Sequence, residues 1–219
     1  MDFQIALILG QDGLTNGAIY ALLALALVLV FAVTRVIFIP QGEFVAYGAL
    51  TLAMLENGVF PATVWLLLGA GVLATAFDVT TLLRQGQTRR LIRLIGQNIV
   101  YPIVMLGLLK YYNSKEFGLA VQVLLTLLII VPLGPLMYRI VYQPIAEAPV
   151  LVLLIISVAL HVAMVGLGLL FFGAEGYRTP PFSSARFDVG PVSISGQTLW
   201  VIGASLALIV ILALFFGRT

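Results

Sequence analysis

The chain has 219 residues, of which 62% are apolar and only 9% charged, and its mean hydropathy is +1.14. Ordinary soluble domains carry roughly 25% charged residues, so this composition excludes a soluble globular protein and points to an all-α polytopic membrane protein. A net charge of +2 gives no basis for nucleic-acid binding. The absence of cysteine removes disulfides, thiolate metal sites and cysteine nucleophiles together.

The apolar runs are long and continuous, not ten-residue alternations, which argues for helices over a β-barrel. The chain opens Met1-Asp2-Phe3 with no basic region, so the first apolar stretch is expected to stay as a span instead of leaving as a signal peptide. A helix needs about 20 apolar residues to cross a bilayer. On that criterion about seven spans are expected, forming a single membrane-embedded domain over residues 1–219. The first covers about 14–33 and ends at Thr34-Arg35. The second, about 41–55, is short and starts at a polar break, so it either spans or re-enters. The third covers 60–77, and a basic loop with Arg84, Arg89, Arg90 and Arg93 follows. The fourth, about 95–109, carries Gln97 and Asn98 near its start. The fifth, sixth and seventh cover 119–138, 150–172 and 199–216. Residues 173–197 hold Pro180, Pro181, Ser183, Ser184, Asp188 and Pro191, and read as a loop with little regular structure.

Cytoplasmic loops carry an excess of Lys and Arg. If the carboxyl end is cytoplasmic, the inside holds Arg35, Arg84, Arg89, Arg90, Arg93, Arg139 and Arg218, and the outside holds Lys110, Lys115, Arg178 and Arg186. The densest cluster is then inside, so the carboxyl terminus is placed in the cytoplasm and the amino terminus outside. A re-entrant second segment would move only the amino terminus.

The polar break is the most informative segment. Pro40-Gln41-Gly42-Glu43 interrupts two apolar stretches, and a helix broken near residues 36–44 is predicted. Intramembrane carboxylates and broken helices occur where protein or a water-filled cavity surrounds them. Glu43 is therefore a candidate for a solute pathway, with Gln41 and Gly42 beside it; the plainer reading is a solvated carboxylate near Arg35. His161, the only histidine, sits deep in the sixth span with Ser157 one turn earlier. It could relay a proton, or be a packed histidine bonded to a neighbour. Asn16 and Tyr20 form a polar stripe in the first span, for the pathway or for helix–helix hydrogen bonding. No nucleotide-binding glycine loop, paired catalytic carboxylates or Ser/His/Asp set appears, so the chain is not expected to be an enzyme or to bind a cofactor or metal itself.

Three segments resemble the LivH-type permease subunits of branched-chain amino acid ABC importers. The run from Gly13 to Leu27 is similar to the family's opening helix, with Gly17-Ala18-Ile19-Tyr20-Ala21-Leu22 at its centre. Gln41-Gly42-Glu43, with the later Gly48-Ala49, resembles the family's Ala-His-Gly-Glu stretch, with Pro40 and Gln41 in place of Ala and His. Val141-Tyr142-Gln143-Pro144 is similar to its Tyr-Arg-Pro-Leu before a span, and Val192 to Gln197 to a short segment before a later helix. Residues 78–118 are an addition to the plainest family pattern, and the family continues past the equivalent of Arg218-Thr219 with an ATPase-docking loop and further spans. The resemblance implies a permease forming half of a translocation pathway in the bacterial inner membrane. It implies as partners a second related permease, two cytoplasmic ATPases that bind the ATP, and a periplasmic binding protein. The rival expectation is an ion- or proton-coupled secondary transporter or channel built on Glu43 and His161; a non-transporting scaffold is a third.

The orientation is directly testable in this cysteine-free chain. Cysteine introduced at Ser184 should react with an impermeant reagent in intact cells, and cysteine introduced at Gln87 should not. The opposite pattern overturns the orientation.

Overall fold

The computed structural model describes residues 3–84, 94–111, 114–189 and 192–217. Arg89, Arg90 and Arg93 of the expected basic loop lie outside them. Helix dominates, and the order is α1 (Phe3–Thr34), α2 (Gln41–Glu56), α3 (Thr63–Arg84), α4 (Tyr101–Tyr111), α5 (Leu119–Ile130), α6 (Leu133–Met137), α7 (Val150–Phe172) and α8 (Gly196–Gly217). Two π-helical turns, Gly96–Val100 and Tyr138–Tyr142, lead into α4 and follow α6. Among the described residues, four helical stretches are long and apolar enough to cross a membrane: Ile5–Thr34, Leu119–Ile145, Val150–Phe172 and Gly196–Gly217. These are compatible with a multi-pass membrane protein. Thr63–Val79 is apolar but shorter, and α2 has only 16 residues.

The described chain forms two compact units, 1–35 with 180–219, and 36–179. In the terminal unit α1 packs on α8, and Gln11 Nε2 donates to Thr198 Oγ1 at 3.4 Å. Thr15 and Thr34 return their hydroxyls to the carbonyls of Gln11 and Val30, so these polar groups cost little in an apolar helix. The expected irregular loop contains a short antiparallel hairpin: β1 (Arg186–Val189) pairs with β2 (Val192–Ser195), Phe187 opposite Ile194. The reason is local. Phe187, Val189, Val192 and Ile194 favour the pleat, and proline-rich composition alone obscures that alternation. Ser195 then accepts from the Thr198 N–H at 3.2 Å and caps α8.

The central unit runs back and forth. The end of α3 meets the π turn after α6 through an Asp78–Arg139 ion pair of 4.0 Å. At the opposite end, Ser114 donates to the Leu55 carbonyl at 2.9 Å. Between these ends α2 and α3 are the buried helices, with Leu55, Val64 and Leu67 fully enclosed. Hydroxyls and amides bond across the seams: Thr51 to Thr63 at 2.8 Å, Asn98 Nδ2 to Thr75 Oγ1 at 3.3 Å, and Gln122 Nε2 to the Ser114 carbonyl at 2.8 Å. Gly71 permits the closest approach. A Cβ there would overlap the carbonyl oxygen of Asn98, so α3 and the first π turn touch backbone to backbone.

Gly71→Ala should therefore cost about 1–3 kcal/mol, the usual range for overpacking. Gly69→Ala, with open space around it, is the control. Thermal unfolding of both variants in detergent checks this; equal melting temperatures would contradict the close approach.

Candidate functional site

The predicted break exists, and it lies slightly earlier than the sequence suggests. Helix α1 ends at Thr34, and Arg35 takes a left-handed conformation at φ 58° while its N–H still bonds to the Phe31 carbonyl at 2.8 Å. That is a helix-terminating geometry adopted here without glycine. Residues 35–38 are non-helical, a turn covers Ile39 and Pro40, and α2 starts at Gln41 with Pro40 as its N-cap. Gly42 is not part of the interruption. It sits in the first turn of α2, exposed, with open space where a Cβ would go.

The residues after the break pack along α7. Val36 is buried with Tyr142 and Leu153. Phe38 lies between Phe44 and Tyr142, with ring centroids at 5.6 and 6.0 Å. The Tyr142 hydroxyl pairs with Ser157 Oγ at 2.8 Å in a buried position. One turn further along α7, His161 Nδ1 contacts Glu43 Oε1 at 2.8 Å. Past that pair, Tyr47 donates to the carbonyl of Met164, and its ring lies against Gly168 and Phe172. The sequence thus builds one seam. Glu43 and Tyr47, four apart on α2, meet Leu153, Ser157, His161, Met164, Gly168 and Phe172 on α7, spaced three or four apart.

The electrostatics are uneven across this pair. The Glu43 side chain is 14% exposed and that of His161 is 40% exposed, so the carboxylate is the enclosed partner. Its Oε2 is shielded and has no hydrogen-bond partner, and His161 Nδ1 is close to Oε1 without being aligned as a donor. A buried carboxylate of this kind is costly until a proton, a cation or a donor group completes it. The arrangement can hold a proton between carboxylate and imidazole, or accept a polar group that enters from the histidine side. No set of three or more potential metal ligands forms among the described residues.

Of the residues chosen from sequence, Glu43, Ser157 and His161 come together on this seam. Gln41 is half-buried at the start of α2, and Gly42 is exposed beside it. Asn16 and Tyr20 belong to the terminal unit, exposed one turn apart on α1. The sequence reading missed Tyr47, Tyr142 and Gly168 as neighbours of the pair. The three-and-four spacing from His161 to Phe172 was the available signal. No family model, no curated protein and no solved structure matches the chain.

A double-mutant cycle tests the pair. Glu43→Gln and His161→Gln should be non-additive in thermal stability by about 0.5 kcal/mol or more, as for side chains in contact. Strict additivity would show that the two side chains do not interact.

Proposed function

We propose that the chain is a membrane permease subunit of an ABC importer similar to the LivH type, contributing half of a translocation path for branched-chain or related amino acids. The observation that carries this reading is the interrupted entry into α2, which sets a shielded carboxylate against the middle of α7, facing the only histidine. Unwound segments beside half-helices are how transporters expose binding groups within a bilayer. In this reading seven segments cross: α1, the 36–56 segment, α3, the π turn with α4, the α5–α6 stretch, α7 and α8. The three short ones cross with help from their neighbours, and the carboxyl end is cytoplasmic, in the inner membrane of a bacterium. A second related permease completes the path, a periplasmic binding protein delivers the solute, and two ATPases bind and hydrolyse the ATP.

The Glu43–His161 contact also favours a second reading, an ion- or proton-coupled secondary transporter or channel, because a carboxylate and an imidazole together can carry a proton. Uptake by proteoliposomes separates the two. The protein should be extended through the docking loop found in the family and assembled with its partners. Uptake should then require ATP and the ATPases, and Glu43→Gln should change its rate or its pH dependence at matched protein amounts. Uptake driven by a pH gradient without ATPase would establish the second reading. Equal uptake by Glu43→Gln at every pH would remove Glu43 from the path.

A further inference from the structure

Where α2 ends, α3 begins and α4 ends, the central unit holds a cavity of about 510 Å³. Small-molecule sites span roughly 300–1,000 Å³. The inner wall is apolar: Leu55 and Leu109 are buried there. Phe60 and Trp65 form a second wall, with ring centroids 6.5 Å apart, and Trp65 is half exposed. Lys110, near the end of α4, also lines the cavity. The side chain of Lys115 lies over Gly58, a lining residue held at φ +70°. Glu56 and Glu116 are the nearby acidic residues in sequence, and neither lines the cavity.

This combination has a specific chemistry. An apolar pocket open at the ends of apolar helices, walled by tryptophan and edged by lysine, suits a ligand with a hydrocarbon body and an anionic head. Tryptophan and tyrosine concentrate at the depth of lipid headgroups. Lysine near a helix end lays its stem along apolar surface and keeps its ammonium at the polar boundary. We propose that this cavity binds an anionic phospholipid of the surrounding bilayer, its acyl chain against Phe60 and Trp65 and its phosphate beside Lys110. The site stands at the far end of α2 from Glu43 and does not depend on the permease reading.

The chain has two tryptophans, so Trp200→Phe leaves Trp65 as the reporter. The protein is placed in phosphatidylcholine vesicles containing a small fraction of either brominated phosphatidylglycerol or brominated phosphatidylcholine. Brominated phosphatidylglycerol should quench Trp65 with an apparent affinity about five-fold higher, the effect expected of one lysine beside an anionic headgroup. Lys110→Gln should abolish that preference and leave quenching by brominated phosphatidylcholine unchanged, and Lys110→Arg should restore it. Helical circular dichroism of each variant confirms the fold. Equal quenching by the two lipids, or a preference that survives Lys110→Gln, would overturn the proposal.

Discussion

A carboxylate withdrawn from water has to find a partner, and the seam between α2 and α7 is organised around that demand. Glu43 reaches His161 only because α2 starts afresh at Gln41. A helix continuing unbroken from α1 would carry Glu43 past Pro40 with its backbone already committed, and Pro40 cannot sit in such a helix without losing a bond and crowding the preceding turn. The break therefore does two things. It ends one helix at Arg35, and it lets the next begin beside the midpoint of α7. The aromatic contacts of Phe38 and the Tyr142–Ser157 bond fill the space alongside the extended residues, so that segment is covered by side chains.

The rest of the central unit follows a related logic. In lipid, apolar side chains gain little by leaving one hydrocarbon surface for another, so helices associate through close backbone approach and through hydrogen bonds. The bonds Thr51–Thr63, Asn98–Thr75, Ser114–Leu55 and Gln122–Ser114 are distributed over α2, α3, the first π turn and α5. Each satisfies polar groups that would be expensive to leave bare in an apolar interior. Gly71 serves the same end by removing a side chain. The many exposed leucines and valines on α1, α7 and α8 are what helices facing hydrocarbon would carry.

The all-α class and the positions of the helices were legible because long apolar runs declare themselves. The break was legible because proline and glutamate are costly in such surroundings. Its placement was less so: Gly42 suggested an interruption, yet glycine is also accommodated inside a helical turn, and the true end of α1 is set by Arg35, a residue with no special liking for that conformation. The hairpin at 186–195 was hidden by the prolines around it. Composition also could not reveal that His161 has an acidic neighbour, because none occurs in its own helix and the contact spans 118 positions of sequence between Glu43 and His161. Contacts at that separation depend on the packing of α2 against α7, which periodicity does not encode. The π turns were equally invisible, since they leave no compositional mark.

Those turns set a limit on how this protein can vary. A π turn holds one residue more than an α turn covering the same stretch. In Tyr138–Tyr142 that extra residue sets the angular phase at which Tyr142 points toward Ser157. Losing one residue there would restore ordinary helix and rotate everything after it by about 100° relative to what precedes it. Tyr142 would then turn away from Ser157, although every side chain of the seam was still present. This stretch should accordingly accept changes of residue type far more readily than changes of length, so its spacing, more than its composition, is the quantity under constraint.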